Sequence, residues 1–138
     1  MNIKDSTFIV TGGSAGIGKA TAKLLTDKGS KVAITGRDKS KLEKIAKEIN
    51  AFPIHADVSV ENDVHNTYEI FFKQFGKLDC LINNAGIGDA WNEITELDMT
   101  SFHKVYDVNV FGAALMASEA AKLFKKQKSG NIINIAST

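Results

Sequence analysis

Short apolar runs alternate with amphipathic stretches along this chain. FIVT (8–11), KVAIT (31–35), residues 52–57 and residues 78–83 are brief and rich in branched or aromatic side chains. Such runs predict strands buried on both faces. The stretches between them carry apolar residues at helical spacing. Ile17, Ala20 and Leu24 mark a helix over 17–28, stopped by Gly29. Leu42, Ile45 and Ile49 form the stripe of a second helix over 39–50. Val64, Tyr68, Phe71, Phe72 and Phe75 form that of a third over 60–75, with Ser59 as its expected cap. A loop then runs to about Leu97, followed by a long helix over 98–128. The segment GNIINIAST (130–138) closes the chain as a fifth strand, its isoleucines Ile132, Ile133 and Ile135 suited to burial. Pro53 lacks an N–H for a ladder and argues that the third strand lies at an edge.

Strands alternating with helices imply right-handed βαβ units and a parallel sheet. The expected fold is therefore α/β, a doubly wound parallel sheet of Rossmann type. Ligands of such sheets bind beyond the carboxyl ends of the strands. Thr11, Arg37, Asp57, Asn83 and Ser137 all fall at or just past strand ends, so they are expected to line one edge.

Composition narrows the class without naming a chemistry. Of 138 residues, 43% are hydrophobic and 24% charged, which is globular rather than disordered usage and fits one domain. The net charge of +1 offers no electrostatic case for nucleic acid or an anionic membrane. The uncharged stretch 108–118 is too short to span a bilayer, and MNIKDS lacks the pattern of a signal peptide. Cys80 is the single cysteine and sits in the apolar run LDCLI, as a buried inert thiol would. These features point to a cytoplasmic location. His55, His65 and His103 are dispersed, without metal-ligand spacing. Lys122, Lys125, Lys126 and Lys128 suit a solvated helix C-terminus.

The first turn carries the clearest chemistry. TGGSAGIG (11–18) lies between a strand and a helix. Glycines at 12, 16 and 18 permit a sharp turn and close backbone approach to a pyrophosphate. The helix N-terminus beyond offers free N–H groups and a positive dipole end. A plain strand-to-helix turn is the alternative reading. The spacing is G-x-x-x-G-x-G rather than the commoner G-x-G-x-x-G.

In that spacing the turn resembles the T-G-x-x-x-G-x-G cofactor motif of the short-chain dehydrogenase/reductase family. The resemblance continues in register through Asp57-Val58, Asn83-Asn84-Ala85-Gly86, Asn109 within DVNVFG, and GNIINIAS at the end. It implies that Thr11, Gly12, Ser14, Gly16, Ile17 and Gly18 surround the cofactor phosphates. It also implies an adenine contact from Asp57 with Val58 against the ring, and a ribose-side turn from Asn84, Ala85 and Gly86. Taken alone, Asp57 is equally a polar turn residue. Arg37 follows the second strand where an acid would hold the ribose 2′-OH of NAD, and its planar fork suits a 2′-phosphate. NADP(H) is therefore favoured over NAD(H), while an ordinary surface Arg stays open. Asp38 beside it either blunts that charge or caps the next helix. Asn109 interrupts an apolar helix and can bond locally and bend it; the resemblance implies a distortion whose backbone carbonyl holds a water of a proton relay.

Reduction of a carbonyl by hydride leaves charge on oxygen, which needs donors and a proton source. The resemblance assigns Ser137 as a catalytic donor, beside a Tyr and Lys in Y-x-x-x-K. The only tyrosines are Tyr68 and Tyr106, followed four residues on by Phe72 and Val110. The expectation is an incomplete cofactor-binding domain over 1–138, inactive alone, from an oxidoreductase acting on a small-molecule carbonyl or secondary alcohol. A non-catalytic dinucleotide-binding or regulatory domain is the alternative. The long helix is apolar nearly all round over 105–116, which suggests burial against a second subunit and hence a homo-oligomer. The resemblance implies that most of the substrate pocket is shaped by segments after the Tyr of Y-x-x-x-K; within this chain only loop residues 88–94 are expected to contribute, and Trp91 there is equally a core residue.

Overall fold

The computed structural model describes residues 2–88 and 93–136. Its strands are β1 (Thr7–Val10), β2 (Lys31–Gly36), β3 (Phe52–His55), β4 (Cys80–Asn83) and β5 (Asn131–Asn134). They form one parallel sheet in the order β3-β2-β1-β4-β5. The order reverses between β1 and β4, which opens a crevice at their carboxyl ends. Pro53 does sit at the edge, in β3, as its missing donor requires.

Right-handed crossovers decide which face each helix covers. Helices α1 (Gly16–Asp27) and α2 (Lys39–Glu48) pack on one face over Phe8, Val10, Val32, Ile34 and Ile82. Helix α3 (Glu61–Phe75) covers the other face over Ile9, Ala33, Ile54 and Leu81, together with the long final helix. That helix has three parts: α4 (Met99–Tyr106), a π-helical stretch (Asp107–Gly112) and α5 (Ala113–Gln127). Asp98 caps it, accepting from the backbone N–H groups of Thr100 and Ser101 at 3.1 Å each.

Four expectations need correction. In α1 the buried residues are Gly18, Ala22 and Leu25, whereas Ile17, Ala20 and Leu24 are all exposed, Ile17 and Leu24 by 63% and 56%. The close approach needed at Gly18 sets the rotation of the helix, so Gly18, Ala22 and Leu25 face the sheet. Ser59 does not cap α3. Val60 holds that position without a side-chain bond, and the Ser59 hydroxyl donates to Asp57 instead. Phe72 is 40% exposed, off the buried line Val64, Tyr68 and Phe71. Finally, β5 is exposed along its length: among the described residues it is an edge strand paired with β4 and lies against α5.

Candidate cofactor site at the sheet switch point

A cleft of about 260 Å³ lies at the carboxyl edge where the strand order reverses. Four strand ends supply its walls. Gly12, Ser14 and Ala15 come after β1, Thr35 to Arg37 close β2, Ala56 to Val58 follow β3, and Ala85 to Ile87 follow β4. Val108 of the π-helical stretch completes the lining.

The glycine-rich turn is held by the turn after β4. Thr11 is buried, and its hydroxyl accepts from the backbone N–H groups of Asn84 and Ala85, at 2.9 Å each. The Asn84 amide donates back to the carbonyls of Thr11 (3.0 Å) and Gly12 (3.3 Å). Thr11 therefore works behind the cleft rather than lining it. Gly12 and Gly16 have φ of +65° and +50°, the left-handed region that other L-residues enter at a cost. A Cβ on Gly18 would stand 2.4 Å from the Asn84 amide nitrogen and 2.5 Å from the Gly12 carbonyl oxygen. Around Gly16 there is open space instead.

Sequence reasoning passed over Gly13 as a variable position of the motif. Its N–H donates to the Thr35 carbonyl at 3.0 Å, and a Cβ there would stand 2.5 Å from the Ile34 side chain. The signal was present as a second glycine, but only the packing of β2 beneath it gives that glycine a reason.

At the rim, Arg37 is 59% exposed and its Nη1 lies 3.9 Å from Asp57 Oδ2. Asp57 Oδ1 accepts from both the backbone N–H (2.9 Å) and the hydroxyl (2.6 Å) of Ser59. Asp38 accepts from the Lys41 N–H at 2.9 Å and so caps α2. That settles which role it plays. Ala15 precedes α1 without a side-chain cap, and the first turn holds no acidic residue. Its N–H groups are thus left for an anion.

On the opposite wall, Asn109 bonds the backbone of Ile87 in both directions, at 2.8 Å each way. The π-helical stretch is centred there, so the helix is distorted where the lone Asn suggested. Gly112 lets that helix press on the turn after β3. A Cβ there would stand 2.7 Å from a Val58 methyl.

Asn83 does not reach the cleft. It is buried, donating to the Ala113 carbonyl (3.1 Å) and to Asn134 Oδ1 (3.0 Å). Neither tyrosine is placed as a proton donor to the cleft. Tyr68 is buried and donates to the Met116 carbonyl at 2.6 Å, and burial, aided by the Glu119 charge, pushes its phenol well above the usual range. Tyr106 stacks on Phe102, with ring centroids 4.8 Å apart. Ser137 and Trp91 lie outside the described residues.

The family model for short chain dehydrogenases matches residues 6–138. The chain belongs to the short-chain dehydrogenase family. It is 32% identical to zerumbone synthase of Zingiber zerumbet, covering 99% of this chain and 53% of that protein. It is 38% identical to xanthoxin dehydrogenase of Arabidopsis thaliana, covering 94% and 48%. Among solved structures, 3-ketoacyl-(acyl-carrier-protein) reductase from Brucella melitensis, complexed with NADH, superposes with a TM-score of 0.93 at 35% identity. That match covers 98% of this chain and 58% of the reductase. Levodione reductase gives the same TM-score at 30% identity, covering 97% and 55%. The chain thus spans about half the length of the curated relatives it matches.

Proposed function

We propose that this chain is the cofactor-binding part of an NADP(H)-preferring oxidoreductase. Its substrate would be a small-molecule carbonyl or secondary alcohol. The observation that carries the reading is the composition of the cleft. An uncapped helix N-terminus and a tight glycine turn lie at one end, and an exposed guanidinium lies at the other. The first-turn N–H groups of α1 and the backbone at Gly12 to Ala15 suit a pyrophosphate. Arg37 suits a 2′-phosphate, and no acidic residue occupies position 36 to bind a ribose diol. Gly36 itself sits against Ser14, since a Cβ there would stand 3.2 Å from the serine oxygen. Val58 and Asp57 suit the adenine, with Asp57 accepting from its exocyclic amine.

Bound nicotinamide supplies or accepts the hydride. The chain's own contribution is to orient the dinucleotide and to begin the carbonyl site. Asn109 holds Ile87, and with it the cleft wall after β4, at a fixed place. Ser137 is proposed as one donor to the substrate oxygen. These 138 residues contain no Y-x-x-x-K, so on their own they are proposed to bind without turnover. The chain is read as a single NAD(P)-binding domain acting in the cytoplasm.

The direct test is titration with NADPH and NADH followed by nicotinamide fluorescence. Arg37→Ala is expected to weaken NADPH about tenfold or more and NADH little. Equal losses for both cofactors would remove the NADP(H) preference.

The exposed face of the long helix supports self-association. Phe102, Tyr106, Val110 and Phe111 are all exposed there, Phe111 by 56%. Apolar side chains exposed along one helix suit an interface with a second copy.

A further inference from the structure

We propose that His55 is a positioning residue for Arg37 and thereby a determinant of cofactor choice. The inference rests on the NADP(H) reading above and assigns a role to a residue that does not itself line the cleft.

The ladder between β2 and β3 ends at the pair Gly36 and His55. The Gly36 carbonyl still receives a bond, from the Ala56 N–H at 3.2 Å. Arg37 is the first residue past the ladder, so its carbonyl has no strand partner to accept from. The His55 ring takes that place: Nε2 lies 2.8 Å from the Arg37 oxygen. A carbonyl can only accept, so Nε2 carries the proton and donates.

One residue on, Asp38 is tied to Lys41 at the start of α2. Residues 36–38 are therefore held at three successive points, two of them through side chains. The root of the Arg37 side chain is fixed at the rim of the cleft, and only its χ angles remain to be ordered on binding. Without His55 the connection between β2 and α2 gains freedom at Arg37 alone. Binding a 2′-phosphate through the guanidinium must then restrict more of the chain. NADH presents a hydroxyl at that position and makes no such demand.

The test compares His55→Leu, His55→Gln and Arg37→Ala in the full chain, titrated with NADPH and NADH. Loss of one hydrogen bond corresponds to about a threefold to tenfold change in affinity. His55→Leu is expected to weaken NADPH by that factor and leave NADH within about twofold. His55→Gln keeps an N–H donor and is expected to recover most of the loss. Because His55 acts through Arg37, His55→Leu placed on Arg37→Ala should have no further effect on NADPH. Equal weakening of both cofactors by His55→Leu would mean a purely structural role and overturn the proposal. So would additive effects in the double variant. If Arg37→Ala is selective but His55→Leu is not, the positioning role alone fails. If Arg37→Ala is itself unselective, the cofactor reading fails and the positioning role with it.

Discussion

Asn109 and Ile87 are bound face to face, the amide of one exchanging two 2.8 Å hydrogen bonds with the backbone of the other. This pairing uses a side chain as a strand would use its backbone, and it joins the π-helical stretch to the turn after β4. Gly86 lies beside the pair, where a Cβ would make only an ordinary contact with Asn109 Oδ1, at 3.4 Å. Asn109→Leu removes both bonds and leaves the Ile87 N–H and carbonyl to water. The expected cost is about 1–2 kcal/mol in urea denaturation, modest because the site is open to solvent. Cofactor binding should weaken as well, because Ile87 lines the cleft. An Asn109→Leu protein with unchanged stability and affinity would contradict the role given to this pair.

Gly13 offers a sharper test, because conformation and space separate there. Its backbone is ordinary, but a Cβ would meet the branch point of Ile34 at 2.6 Å and its methyl at 2.5 Å. Gly13→Ala must push β2 or the turn aside, at about 1–3 kcal/mol. Adding Ile34→Ala removes those atoms, so the double variant should lose less than the sum of the single losses. Additive losses in thermal denaturation would show that the clash is not the cause.

The order of elements and the switch-point site were legible because strand and helix periods differ and the turn signals fall between them. Asp38 and Asp98 stand where the helix starts were read, and their short side chains reach the first free N–H groups, though for Asp38 capping was one of two readings and for Asp98 the cap itself was not read. The stripe of α1 was misread for a physical reason. Ile17 and Leu24 obey helical spacing, but the packing of Gly18 against Asn84 fixes the rotation, and periodicity carries no information about that contact. Thr11 was legible as a site residue but not its place behind the cleft, since the hydroxyl's partners come from 73 and 74 residues away. His55 was invisible for the same reason. Its partner, Arg37, is 18 residues distant and joined only through the sheet.

At the opposite end of the sheet, Asp79 accepts from the N–H and hydroxyl of Thr7 at 2.9 and 3.1 Å, with Lys77 at 3.1 Å. Burial alone would raise this carboxyl. The donors from Thr7 and Lys77 outweigh it and hold the group below its usual value. A carboxyl lowered on folding stabilises the native state above the unfolded pKa, about 4, and that contribution is lost as pH falls through the folded value. Asp79→Asn should be less stable at pH 7, by about 1–2 kcal/mol, with the gap closing towards pH 3. A gap that does not change with pH would show that the charge is not what matters.

The long helix supplies a prediction about assembly. Phe111 projects from the exposed face, while Val108 and Met116 turn inward. Phe111→Lys should leave the fold intact, since no core contact is lost, but should reduce the mass measured by light scattering if that face joins two copies. An unchanged mass would place the interface elsewhere.

Cys80 reports on the centre of the sheet. It is fully buried in β4, and burial, with the Asp79 carboxylate beside it, pushes its thiol up to about 11. The reactive thiolate is thus scarce at pH 8 and also shielded from reagents. Labelling with a thiol-specific disulfide at pH 8 should be slow in the native protein and immediate in denaturant. Its rate should rise with urea as β4 opens, and its rise with pH across the range 7–9 should follow the thiolate fraction of an ordinary exposed cysteine in the opened chain rather than that of the buried thiol. Gly13→Ala should then raise the logarithm of the labelling rate in proportion to its loss of stability when opening is fast and global. Fast labelling of the native protein would mean that β4 opens locally without the rest of the sheet.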